Sequence, residues 1–69
     1  MSEKLYNNEI LRKAIESNPA LNPTKVAAAA DVSLTTVHNA MKGEDVRIST
    51  LRRIAAAANV GLRELVETA

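Results

Sequence analysis

Side chains able to do covalent or metal chemistry are few in this chain. There is one histidine, His38, no cysteine, and eight carboxylates spread between Glu3 and Glu67. A lone imidazole among scattered acids makes neither a metal site nor an acid–base pair, so neither an enzyme nor a metal or other cofactor is expected. What remains is hydrogen bonding, and it concentrates in residues 33–42. Wound at about 100° per residue, this stretch puts Val37, Ala40 and Met41 on one side and Thr35, His38, Asn39 and Lys42 on the other. Leu34 and Thr36 fall on the borders. The outward side thus offers two short hydrogen-bonding side chains, an imidazole and a cation, with no acid among them. Thr and Asn weaken a helix where Glu, Lys or Gln would strengthen it. An exposed face built of poor helix formers points to recognition.

The elements that must position these residues lie in residues 22–43. Asn22 is a good N-cap, and Pro23 suits the first helical position, where its missing N–H has no partner to lose. Val26, Ala27 and Ala30 then form one apolar stripe. Asp31 breaks the run and tolerates a left-handed corner. Ser33 caps a second helix that Gly43 ends. Two helices so close in sequence must cross steeply, with the second standing proud. That is the helix-turn-helix arrangement, whose second helix enters the DNA major groove.

A recurring pattern opens these two helices, as Leu21-Asn22-…-Val26 and Val32-Ser33-…-Val37, and the others too: an apolar residue, a cap, and a second apolar residue five positions after the first. This is the hydrophobic staple, in which the residue before the cap packs on the fourth helical position. Tyr6-Asn7-…-Leu11 opens a helix burying Ile10, Leu11, Ala14 and Ile15. Val60-Gly61-…-Leu65 opens the last, with Glu64 at the capping-box position. For the fourth helix two starts compete: Val46-Arg47-…-Leu51 keeps the staple, and Ser49 is the better cap by residue type. Either start turns Leu51, Ile54, Ala55 and Ala58 inward, and Asn59 takes the left-handed stop. Residues 1–5 read as a frayed start. The expected architecture is all-α, one domain of five short helices at about 7–17, 23–30, 33–42, 48–58 and 62–68.

Composition sets the bounds. Sixty-nine residues allow one small core. Without cysteine there is no disulfide framework, and no stretch of about 18 apolar residues is present to span a membrane. A soluble, cytoplasmic protein is expected. The net charge of +1 is small for a nucleic-acid binder. Acids nevertheless avoid the outward face of 33–42: only Asp31, Glu44 and Asp45 come near, all at helix junctions.

The stretch A-D-V-S-L-T-T-V-H-N-A-M resembles the helix-turn-helix of the phage repressor/Cro (lambda-repressor-like) family. Ala27, Val32, Ser33 and Val37 match its alanine, its Val-Ser lead-in and its mid-helix β-branched residue. The tail L-R-R-I-A-A-A-A-N-V-G-L-R-E-L is similar to that family's fourth and fifth helices. The resemblance covers about residues 7–66. Lac-repressor-type headpieces share the shorter stretch without the tail. Three positions depart from the family: Asp31 replaces a corner glycine, Pro23 stands where a phosphate-touching glutamine is common, and Ala40 where a larger apolar residue is usual.

The resemblance implies a compact five-helix domain acting as a transcriptional regulator that binds double-stranded DNA. The first, second and sixth places of the recognition helix touch bases in this family, and here they are Leu34, Thr35 and Asn39. Leu34 can meet a thymine methyl group or pack on the core, Thr35 can bond to either type of edge, and Asn39 can pair with adenine N6 and N7. His38 points the same way, toward guanine or a phosphate. Phosphate contacts are expected at helix starts, from Asn22 and Thr24, Ser33 and Thr36, and Ser49 and Thr50, with Lys25, Lys42 and Arg47 adding charge. Arg52 and Arg53 read as solubilising cations. A homodimer on a near-palindromic operator follows, with Leu62, Leu65 and Val66 as the candidate subunit surface. No small-molecule effector site is evident. The chain fits either a whole Cro-like protein or the DNA-binding domain of a longer repressor. The competing reading is an antitoxin-like helical protein-interaction module whose DNA binding is secondary.

Overall fold

The computed structural model describes residues 6–67. Residues 1–5, read as a frayed start, and residue 68, placed at the end of the last helix, lie outside the described residues. Within them the chain is all-α, with five helices and no strand: α1 (Asn8–Glu16), α2 (Pro23–Ala30), α3 (Leu34–Lys42), α4 (Ile48–Ala57) and α5 (Leu62–Glu67).

The staple pairs explain why the helices start where they do. Tyr6, Leu11, Val26, Val37, Leu51 and Leu65 belong to the buried core, and their partners Leu21, Val32, Val46 and Val60 pack against it. Caps of the expected types close three starts: Asn7 accepts the Glu9 N–H, Asn22 the Lys25 N–H, and Ser33 the Thr36 N–H. The competition at α4 goes to the staple. Arg47 is the N-cap, with no side-chain cap bond. Packing the half-buried Val46 against the core outweighs one surface hydrogen bond from Ser49, a bond worth only about 1 kcal/mol.

The ends of α2, α3 and α4 share one construction. Asp31 (φ 57°), Gly43 (φ 86°) and Asn59 (φ 60°) take left-handed backbone. The next residue in each case sends its N–H back to the final turn: Val32 to the Ala27 carbonyl, Glu44 to Asn39 and Val60 to Ala55. This is the Schellman closure. Val32 and Val60 each do double duty, closing one helix and stapling the next, and that is why only three residues separate α2 from α3.

Helix α2 packs on α4 and α3, α1 on α3 and α5, and α4 on α5. The expected inward residues of α2 and α4 are all buried, namely Val26, Ala27 and Ala30, then Leu51, Ile54, Ala55 and Ala58. Of the residues of α1 expected inward, Leu11 and Ile15 are buried. Ile10 and Ala14, expected inward with them, are half-buried. Met41 is likewise half-buried. Among the described residues, no helix is long and apolar enough to cross a membrane.

Candidate nucleic-acid interface

Helix α3 is nine residues long and turns Val37 and Ala40 into the core. Its opposite side is open: Leu34, Thr35, His38 and Lys42 are exposed, and Asn39 and Thr36 half-buried. Leu34, on the border, points outward, 42% exposed. Ser33 Oγ receives the Thr36 N–H at 3.1 Å and lies 2.8 Å from Thr36 Oγ1, so these two hydroxyls face each other. Among the described residues, no hydrogen bond holds the side chain of Thr35, His38, Asn39 or Lys42, which leaves their polar atoms to the surroundings.

The far end of α3 is held by residues from the other end of the chain. The Tyr6 hydroxyl donates to the carbonyls of Ala40 (2.7 Å) and Glu44 (3.0 Å). Asn8, only 5% exposed, donates from Nδ2 to the Met41 carbonyl at 3.0 Å. The Asn7 N–H donates to the Leu65 carbonyl at 2.7 Å, tying the same segment to α5. The Ala40 and Met41 carbonyls lie in the last turn of α3, where carbonyls lack partners further along the helix, and that of Ala40 also accepts the Gly43 N–H at 3.2 Å. Burial raises the Tyr6 hydroxyl from its ordinary 10.0 to about 12, and the nearby charges of Asp45 and Glu44 push the same way. Tyr6 was visible in the sequence only as a staple, and Asn8 carried no signal. Their partners stand more than thirty residues away, beyond the reach of any local pattern.

The remaining candidates sit at two other helix starts. At α2, Asn22, Thr24 and Lys25 are exposed; at α4, Arg47 and Ser49 are exposed and Thr50 is half-buried. Since α2 packs on both α3 and α4, it bridges the two. The structure adds a feature not noticed in the sequence. The first turns of α2, α3 and α4 contain no acid, whereas α1 and α5 carry Glu9 and Glu64 there. A helix's positive end favours an acid, so three starts go without an available stabilisation. They are the three assigned to phosphate. At α4 the absence of a side-chain cap leaves the first N–H groups free to meet an anion.

Three of the cations near these starts are also unspent. Arg12 pairs with Glu9, 2.6 Å apart on the exposed side of α1, and no ion pair among the described residues includes Lys25, Lys42 or Arg47. Lys25, Lys42 and Arg47 therefore have no carboxylate within ion-pair distance. Arg53 stands at the rim of an open hollow of about 470 Å³ between α2 and α4, with Asp31 and four alanines for walls. On α5 only Leu65 of the three candidate subunit contacts is fully buried; Leu62 is half-buried, and Val66 is 43% exposed. No group of three or more His, Asp or Glu gathers among the described residues. No protein-family model, curated protein or solved structure matches the chain.

Proposed function

We propose that the protein binds double-stranded DNA sequence-specifically as a transcriptional regulator of the repressor/Cro kind, with α3 laid in the major groove. One observation carries the reading: the outer side of α3 is open, free of acid, and carries Thr35, His38, Asn39 and Lys42, whose side chains have no hydrogen-bond partner among the described residues. Asn39 is the residue suited to adenine, Thr35 to either type of edge, and His38 to guanine or a neighbouring phosphate. The acid-free starts of α2, α3 and α4, with Lys25, Lys42 and Arg47, supply the phosphate contacts that fix register. A nine-residue helix is about 13 Å long and covers a single half-site. A homodimer with its two α3 helices about 34 Å apart reads a near-palindromic operator, and Val66 is the exposed apolar residue of α5 available to join subunits.

The near-neutral net charge and the exposed Ile48 (51%) favour a second reading, a helical protein-interaction module with secondary DNA binding. One titration separates the two. For the DNA reader, affinity for an operator selected from random sequence falls with salt at a log–log slope of about −0.9 per phosphate neutralised. Asn39→Ala then changes which sequences are preferred. Loss of DNA retention at moderate salt supports the interaction module. Equal weakening on every sequence refutes direct readout by Asn39.

A further inference from the structure

We propose that Tyr6 and Asn8 are positioning residues for base reading: from the opposite end of the chain they fix the angle of the last turn of α3, so that Asn39 meets a base edge in one orientation. The inference rests on the DNA-binding reading and adds to it what aligns the reading side chain.

Nine residues make about two and a half turns, and a helix so short is marginal by itself. Both of its ends must be held by something else. The start is held locally, by the Ser33 cap and by Val32, which packs against the core. The finish is held from afar. Asn7 is extended (φ −90°, ψ 94°), so the side chains on either side of it point the same way. Both reach the end of α3, Tyr6 Oη donating to the Ala40 and Glu44 carbonyls and Asn8 Nδ2 to that of Met41. The Asn7 N–H bonds meanwhile to Leu65, which anchors these three residues to α5, so they do not simply follow α3 when it shifts. Ala40 and Met41 are the two residues directly after Asn39. Tyr6 is 2% and Asn8 5% exposed, so water does not compete for the carbonyls they hold. The Asn8 carboxamide also lies tight against the helix end, since a Cβ at Gly43 would stand 2.8 Å from its Oδ1. Apolar packing of Val37 and Ala40 is non-directional and leaves the helix free to roll; hydrogen bonds have preferred angles and do not. Asn39 has no hydrogen bond of its own among the described residues, so its direction comes from its backbone. A two-bond pairing with adenine tolerates only about 10–20° of misalignment. Loosening the last turn therefore erases discrimination by Asn39, while Thr35, in the first turn, keeps its place.

The test measures affinity for the half-site recovered by selection from random DNA, with one base pair changed at a time. Salt is fixed, and the temperature is one at which melting curves show each protein folded. Asn39→Ala first marks the base pair that Asn39 reads. Changing that pair is expected to cost the wild type about tenfold in affinity, and Tyr6→Phe, which keeps the ring and removes only the donor, about twofold or less. Asn8→Ala is expected to behave alike. In both variants the pairs that do not depend on Asn39 keep their full penalties. A merely structural role lowers the folded fraction, which weakens binding by one factor on every sequence. Uniform weakening, or an Asn39 penalty unchanged in both variants, therefore overturns the positioning role and leaves DNA binding intact. So does sequence-specific binding in which no base pair depends on Asn39. Tyr6→Phe and Asn8→Ala remove different bonds, so either decides the matter if the other does not fold. Absence of any preferred sequence in the wild type overturns both this inference and the DNA-binding reading.

Discussion

Gly43 ends α3, and replacing it by alanine tests how that end is held. Two costs arise at once. Its φ of 86° lies in the left-handed region, where an L-residue with a Cβ costs roughly 1–2 kcal/mol. The added Cβ would also stand 2.8 Å from Asn8 Oδ1 and 3.0 Å from Asn8 Cγ. Asn8 is buried and its Nδ2 holds the Met41 carbonyl, so it can move only by loosening a hydrogen bond worth about 1 kcal/mol. Gly43→Ala is therefore expected to lose about 2–3 kcal/mol and lower Tm by roughly 10–20 °C for a domain of this size. Gly61→Ala serves as the comparison: its Cβ would meet only Glu64, at 3.8 Å, so a change within about 0.5 kcal/mol is expected. A double-mutant cycle with Asn8→Ala separates the two costs. With the carboxamide gone, the steric part disappears and Gly43→Ala keeps only its backbone part, giving a coupling of about 1 kcal/mol. Chemical denaturation of the four proteins measures it. Additivity within a few tenths of a kcal/mol would show that Asn8 does not confine Gly43.

Other expectations concern Tyr6, Asp31 and the lysines. Tyr6→Phe removes the donor to the Ala40 and Glu44 carbonyls and should cost about 1–3 kcal/mol by denaturation. Because folding raises the Tyr6 hydroxyl from 10.0 to about 12, its stabilising effect is complete below pH 10 and is lost as pH climbs through 12. Alkaline unfolding of the wild type should show this loss, and Tyr6→Phe should lack the Tyr6 part of it. Asp31→Ala should cost about 1 kcal/mol at the left-handed corner, and Asp31→Gly should be nearly neutral, since relief of the backbone is offset by a freer unfolded chain. A loss equal in the two variants would place the role of Asp31 elsewhere. Lys25→Gln and Lys42→Gln should each weaken DNA binding about equally on all sequences and flatten the salt slope by about 0.9. A change of preferred sequence in either would argue for base contact by that lysine.

Much of the fold was legible because its signals are local. A cap bonds an N–H two or three residues on, a left-handed residue closes the turn just behind it, and a staple joins residues five apart. Such interactions depend on short-range sterics and hydrogen bonding, so Asn7, Asn22 and Ser33, and Asp31, Gly43 and Asn59, announce the helix ends in the bare sequence. The stripes of α2 and α4 are read the same way, and so is the polar outer side of α3.

Tertiary structure decided whatever depends on which surfaces meet. Residue type favoured Ser49 as a cap, and the packing of Val46 on the core settled α4 at Arg47. A leucine at the border of α3 has two places to go, and only the assembled neighbours turn Leu34 outward. Periodicity gave Ile10 and Ala14 to the interior, yet the assembled core leaves both half-buried. The hold of Tyr6 and Asn8 on the end of α3 joins residues more than thirty apart. Free backbone carbonyls at a helix end look alike in any sequence. Which distant side chain reaches them is fixed only once the chain has folded around its core.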